Sequence, residues 1–407
     1  MRICLLSYRG NPYSGGQGIY IHYLSRELLN LGHEVHVLSG PPHPEVVDGV
    51  KVHKLESLNL YESENLWRDL LRIRTPLRLY EFLAIAVGTF PEPFTFSIRA
   101  YNRLRALMPQ YKFDIVHDNQ CLAWGLLLMK RLKIPVVATI HHPITIDREI
   151  DLSQARNPWD RFRLMRWYSF LGMQHRVSPR LDRVITVSKS SAADIHRIFH
   201  VPEKAIRVVY NGVDTDFFNF DGSLPREPHS LIMVSSGQGN IKGLPYMLRA
   251  LHSLKGEVEV KLTVVGNAAP DSQPARLMKE YDLDGMVTFT GGIEREELAR
   301  LYATSEIAVS PSLYEGFGLP AAEAMSSGLP VIAARAGALP EVVGKDGETG
   351  ILVPPADSDA LAAAVKRLLD DELLRKKMGE AGRERVRRHF SWGEAARKTV
   401  QVYEELL

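Results

Sequence analysis

The chain predicts an α/β protein made of two doubly wound domains, each a parallel sheet covered by helices. Three observations carry this. Short Val/Ile-rich runs alternate with stretches of helical period almost from end to end. The alternation breaks once, over residues 210–229, where YNGVDTDFFNFDGSLPREPH is polar and holds Gly and Pro. A length of 407 residues is also long for a single core.

In order, RICLLSY reads as a strand. Ile19, Tyr23, Leu24, Leu28 and Leu31 then fall on one face of a helix, which Gly32 ends. EVHVLS is the next strand, closed by GPPHP, and residues 50–55 form another. FDIVH, IPVVATIH, RVITVS and IRVVY continue the set, with helices near Leu122 to Arg131, near Trp159 to Met173 and from Ser190. After the break, LIMVSS, KLTVVG, MVTFT, EIAVS, PVIAA and GILV are strands. Helices begin near Leu244, Gln273, Glu294, Pro320 and Asp357. The expected division is residues 1–209, residues 210–390, and a terminal segment over 391–407. Sheets of this kind bind ligands beyond the carboxyl ends of their strands.

Composition fits a globular protein, with 45% hydrophobic and 24% charged residues. Cys4 and Cys121 sit in apolar runs without metal-ligand spacing, so a reducing, cytoplasmic setting is expected. No signal peptide is visible, and no apolar run approaches the ~20 residues that span a bilayer. The net charge of +2 hides an asymmetry. Residues 1–200 hold 26 Lys+Arg against 18 Asp+Glu, a net +8, so the rest carries −6. Arg68, Arg72, Arg74 and Arg78 lie among Leu, Trp and Tyr, and WDRFRLMRWYSFLGMQHRV repeats the flavour. Such stretches suit a helix packed on its own domain with Arg at the rim. They also suit a helix on an anionic membrane surface. No nucleic-acid recognition motif accompanies the charge.

The stretch Ser310 to Gly328, SPSLYEGFGLPAAEAMSSG, concentrates the chemistry. A strand runs into a loop with Gly316 and Gly318, and a helix follows with Pro320 in its first turn. The N–H groups of Phe317, Gly318 and Leu319 then lie at a helix N-terminus, an anion site. Glu315 and Glu323 flank it. Either Glu alone reads as ordinary; the pair around EGFGLP suits a ligand both phosphorylated and rich in hydroxyls, such as a nucleotide-sugar. The loop SYRGNPYSGGQG offers Gly15, Gly16 and Gly18 for close backbone approach, but lacks G-x-G-x-x-G. His141, followed by His142, ends the strand in ATIHHP, and Lys242 precedes Gly243 in SSGQGNIKGL. Two D-x-D matches, at Asp214 and Asp357, read as a junction turn and a helix cap. With no cluster of converging oxygens, no metal is expected.

The E-x7-E pattern, with GFGLP inside it and EAMSSGLPVIA after it, resembles the donor site of retaining glycosyltransferases of glycosyltransferase family four. The resemblance covers nearly the whole chain and is densest from Val287 to Pro355. It implies the GT-B architecture, two Rossmann-like domains facing across a central cleft. It also implies retaining transfer of a sugar from a nucleotide-diphosphate donor, UDP- or GDP-linked, to a hydroxyl of a glycan, lipid-linked or small-molecule acceptor. It implies no metal or other cofactor. The resemblance gives the ribose hydroxyls to Glu323 and the transferred sugar to Glu315 and His141. It gives the diphosphate to Lys242 and the amides of Gly316, Phe317, Gly318 and Leu319, with Gly15 and Gly16 approaching the diphosphate or the acceptor. The segment Thr288 to Glu294 would lie beneath the base. One departure stands out: the family usually has arginine five residues before the lysine, where this chain has Gly237. A charge-assisted hydrogen bond is worth roughly 1.5–3 kcal/mol, about 10- to 100-fold in binding. Ser235, Ser236 and Gln238 are neutral donors nearby. The rival readings are a sugar-nucleotide epimerase, a glycan phosphorylase needing a pyridoxal-phosphate lysine, and a non-catalytic nucleotide-sugar binder. Retention of Glu315, Glu323, Lys242 and His141 favours the enzyme.

Overall fold

The computed structural model describes residues 1–10, 16–58, 73–153, 155, 157–219, 222–235, 240–268 and 272–407. It divides into two compact units. The first holds Met1–Val187, Ser191–Val209 and Gly393–Leu407; the second holds Ser188–Ser190 and Tyr210–Trp392.

In the first unit the strands are β1 (Arg2–Ser7), β2 (Glu34–Ser39), β3 (Lys51–Lys54), β4 (Ile115–Asn119), β5 (Val136–Ile140), β6 (Arg183–Thr186) and β7 (Ile206–Val208). They pair in parallel in the order β3-β2-β1-β4-β5-β6-β7. Strands β4 and β5 are buried along their whole length; β5, VVATI, accordingly reads as an apolar run, whereas β4 buries His117, Asp118 and Asn119 at its carboxyl end. The order reverses between β1 and β4. Ligands favour the carboxyl ends of strands at such a reversal, where β1 feeds α1 (Gly16–Asn30) and β4 ends at Asn119, with β5 beside it leading into His141.

The other helices of this unit are α2 (Pro76–Ala86), α3 (Glu92–Leu107), α4 (Trp124–Lys130), α5 (Thr145–Ser153), α6 (Pro158–Trp167), α7 (Leu171–Val177) and α8 (Lys189–Phe199). The single helix expected from Trp159 to Met173 is in fact two. A 3₁₀ turn at Tyr168–Phe170 separates α6 from α7. The register tightens there because the Tyr168 N–H is shared between the Leu164 and Arg166 carbonyls. In α2, Glu81 is buried, and Arg99 of α3 grips it through both guanidinium nitrogens at 3.1 and 2.6 Å.

The second unit repeats the plan with β8 (Ser230–Val234), β9 (Lys261–Val265), β10 (Val287–Phe289), β11 (Ile307–Ser310), β12 (Val331–Ala334) and β13 (Ile351–Val353). These parallel strands run in the order β10-β9-β8-β11-β12-β13. Its helices are α9 (Leu244–Leu254), α10 (Gln273–Glu280), α11 (Arg295–Thr304), α12 (Leu319–Ser326), α13 (Leu339–Val343), α14 (Ser358–Asp370) and α15 (Glu372–His389). The core is aliphatic, with Met233, Leu248, Leu251, Val264, Ile307, Ile332 and Val365 among its buried members. Here the reversal lies between β8 and β11, so the loops that carry Lys242 and Glu315 leave neighbouring strands.

The last helix, α16 (Trp392–Glu404), gives Gly393 onward to the first unit. The Tyr403 hydroxyl lies 2.6 Å from His117 Nδ1, and Glu405 accepts from Arg183 and Arg207.

Candidate active site

In the second unit the site is built by two loops fastened together. Leu313 N–H donates to the Ile241 carbonyl at 2.7 Å. Gly243 has φ +75°, and a Cβ there would stand 1.9 Å from the Pro311 carbonyl oxygen, so only glycine lets the loops meet. That approach sets Lys242 Nζ 2.7 Å from Glu315 Oε1. The same oxygen accepts the Ser312 hydroxyl at 2.9 Å. Behind them, the Glu315 carbonyl accepts Ala338 N–H at 2.9 Å. Gly337 has φ +53°, and a Cβ there would sit 2.2 Å from the same carbonyl oxygen. Glu315 is therefore fixed at both its backbone and its side chain.

Gly318 is the N-cap of α12 in the left-handed conformation, φ +95°, and Pro320 occupies the first turn. Among the described residues, the N–H groups of Phe317, Gly318 and Leu319 have no recorded partner, so the positive end of α12 stays available to an anion. The Phe317 ring does other work. It is buried against Phe390, with Tyr210 alongside, at ring-centroid distances of 5.5 and 6.4 Å.

Glu323 lies one turn into α12. Burial pushes its pKa up to about 7, against the lowering pull of Arg295. The Arg295 guanidinium rests 4.1 Å from the centre of the Phe217 ring and 3.7 Å from Asp214. Tyr302, beneath, donates to the Pro320 carbonyl at 3.2 Å. One unit thus brings together a cation, a helix N-terminus and two carboxylates. Such a set can hold a diphosphate by its charge and sugar or ribose by their hydroxyls.

In the first unit His141 follows β5. Its N–H donates to Gln120 Oε1 at 2.6 Å, and its Nε2 lies 2.8 Å from Asn119 Oδ1. The Tyr20 ring meets the imidazole edge to face at 4.9 Å. Burial holds the His141 pKa down at about 3. His142 instead pairs with Asp147 at 2.7 Å. Asp118 is fully buried, and its pKa is pushed up to about 7. Its Oδ2 accepts the N–H groups of Cys121 and Leu122. Gly16 opens α1, while Gly15, Ser236, Gly237 and Gln238 lie outside the described residues.

The D-x-D carboxylates have local duties. Asp214 accepts Phe217 N–H at 3.2 Å, and Asp357 caps α14 through Ala360 N–H at 2.9 Å. Ser312, Gly337, Asn119 and Tyr20 escaped the sequence reading.

Two family models match the chain. One, for glycosyltransferase family 4, covers residues 14–217; the other, for group 1 glycosyl transferases, covers residues 214–385. An MMP α-(1→4)-mannosyltransferase of Mycolicibacterium hassiacum is 45% identical over 413 residues, spanning 100% of this chain and 98% of that one. The chain belongs to glycosyltransferase family four. The glycosyltransferase is also 29% identical to a glycogen synthase of Mycobacterium tuberculosis, over 99% of this chain and 94% of the relative. Among solved structures it superposes on a sucrose-phosphate synthase from Thermosynechococcus elongatus with TM-score 0.73 and 26% identity. That match covers 100% of this chain and 99% of the other. Anabaena HepE, solved with UDP, shares the fold at TM-score 0.67 and 17% identity, over the full length of both chains. The architecture is GT-B, with two Rossmann-like domains. Among the described residues no helix is long and apolar enough to cross a membrane.

Proposed function

We propose that this glycosyltransferase moves a mannosyl unit from a nucleotide-diphosphate-mannose to a hydroxyl of a glycan acceptor, with retention at the anomeric carbon. The Lys242–Glu315 pair beside the open N-terminus of α12 carries the reading. Full-length identity of 45% to a mannosyltransferase supports the choice of sugar. The diphosphate takes the N–H groups of Phe317 to Leu319. Lys242 turns from Glu315 to the oxygen on which charge grows as the C1–O bond breaks. Glu315, relieved of its cation and held by Ser312 and the Gly337 turn, accepts hydroxyls of the mannose. Glu323 accepts those of the ribose. The acceptor oxygen bonds to C1 on the face the diphosphate leaves, and its proton passes to the departing phosphate oxygen. No protein nucleophile enters this route.

Thermal-shift measurements with UDP- and GDP-linked mannose and glucose, followed by assay of transfer, test the reading. Stabilisation and turnover with one mannosyl donor are expected. Turnover with glucosyl donors alone would overturn the choice of sugar, and hydrolysis or epimerisation without transfer would overturn the reaction.

The acceptor side includes an anionic membrane surface. Helix α6 has no buried residue: Trp159, Phe162 and Met165 are 63%, 50% and 58% exposed, with Arg161 and Arg163 between them and Arg166 next to Met165. On α2, Leu79, Tyr80 and Leu83 are likewise exposed. Apolar side chains interleaved with arginines suit an interfacial helix on acidic headgroups, which also supports a place on the cytoplasmic leaflet. Cosedimentation with vesicles containing phosphatidylserine is expected at low salt. It should fall in the Trp159→Ala/Phe162→Ala double variant, and equal binding to neutral vesicles would count against the proposal.

A further inference from the structure

His141 was legible as a residue at a strand end; what it can do depends on which nitrogen carries its proton. Asn119 settles that. Its Nδ2 donates to the Gln17 carbonyl at 3.1 Å, and a carbonyl only accepts, so the amide group faces α1 and Oδ1 faces the imidazole. That oxygen, 2.8 Å from His141 Nε2, also only accepts. The hydrogen must therefore sit on Nε2. A second proton is opposed by burial, leaving Nδ1 bare, and no partner of Nδ1 is recorded among the described residues. The titratable groups around the ring add no compensating charge. Tyr20 packs against it from α1, neutral His117 stands behind Tyr20 on β4, and His142 is engaged by Asp147.

We propose that Asn119 is a positioning residue that locks His141 in the Nε2–H tautomer, so that the imidazole serves the donor sugar only as a hydrogen-bond acceptor through Nδ1. The sugar role rests on the glycosyltransferase reading and on the family resemblance that gives His141 the transferred sugar; the tautomer does not. An acceptor nitrogen favours a sugar presenting a hydroxyl and disfavours one presenting a carboxylate in that place. Gln17 lies in the first turn of α1, directly after the glycine-rich loop, so the lock also ties His141 to the segment that carries that loop.

The test is ¹⁵N spectroscopy of histidine-labelled protein at pH 7, with the His141 signals assigned by their loss in His141→Gln. Nitrogen shifts of the neutral Nε2–H form are expected in the wild type. An Nδ1–H tautomer or an imidazolium would overturn the proposal, whatever sugar the enzyme uses. In Asn119→Leu the tautomer should become mixed and kcat should fall roughly 10- to 100-fold, with the donor KM little changed. Asn119→Asp keeps an acceptor beside Nε2. It should recover much of kcat at pH 8 and lose it again on acidification, as the carboxylate raises the imidazole pKa. A purely structural role would show instead as equal losses in Asn119→Leu and Asn119→Asp at every pH, with the tautomer unmoved.

Discussion

Lys242 and Glu315 occupy one another at 2.7 Å, and the proposed chemistry asks them to part. Replacing the lysine by alanine leaves Glu315 held by Ser312, so folding should be little affected. Turnover should drop by roughly 100-fold or more, the size of loss typical for one preorganised donor at a leaving oxyanion. Near-normal kcat in Lys242→Ala would remove that role. Glu323 makes a second, pH-dependent prediction. Its pKa stands at about 7 in the free protein, and ribose hydroxyls bind best to the carboxylate, so donor binding must deprotonate it. Affinity for the nucleotide should weaken as pH falls below about 7, by at most about tenfold per unit. Titration calorimetry of Glu323→Gln should show a flatter profile. Glu315 and Glu323 were visible in the sequence because they bracket one compact, strongly patterned stretch, and Lys242 because it stands with Gly243 in the glycine-rich loop after β8. Ser312, Asn119 and Tyr20 were not, because their meaning lies in contacts. Asn119 acquires a role only through Gln17, 102 residues away in the chain.

At the scale of elements, the site is a pair of loops at a strand-order reversal. Both sheets were legible, since buried parallel strands announce themselves as aliphatic runs. The split between α6 and α7 was not, because α6 buries nothing and its aromatic and basic residues carry no clear period of burial. The glycines that let the loops touch were legible as residues but not as joints. Alanine at Gly243 would meet the Pro311 carbonyl in a left-handed backbone conformation. Gly243→Ala should therefore cost more than about 1 kcal/mol in stability. Unlike a substitution elsewhere on α9, it should also lower kcat by displacing Lys242. Denaturant unfolding and turnover, measured together, separate the two effects. A variant that loses stability but keeps full kcat would show that the lysine finds its place without the joint.

Across the whole molecule, the terminal helix is the element whose loss should reach furthest. Ala396, Thr399, Val402 and Tyr403 are all buried, and Tyr403 supplies the partner of His117 Nδ1. His117 is itself fully buried and joined through Thr139 to Tyr20, the ring against His141. Tyr403→Phe leaves that imidazole nitrogen without a partner and should destabilise the protein by about 1–3 kcal/mol. Thermal unfolding and ¹⁵N shifts of His117 would register it, and an unchanged melting temperature would mean that water replaces the hydroxyl at no cost.

That helix also changes how the chain is divided. In chain order, Met1–Val187 and Ser191–Val209 of the first unit come before the main part of the second, Tyr210–Trp392, and Gly393–Leu407 return to the first after it. Topologically the second unit is an insertion within the first. A ribosome carrying residues 1–209 would hold a sheet still waiting for one of its covering helices, with the slot lined by His117 open to water. The second unit has all its strands and core before residue 392 and is expected to close on its own. A chain cut near residue 209 should therefore yield a first fragment that needs the terminal helix supplied in trans, and a second fragment that folds without help.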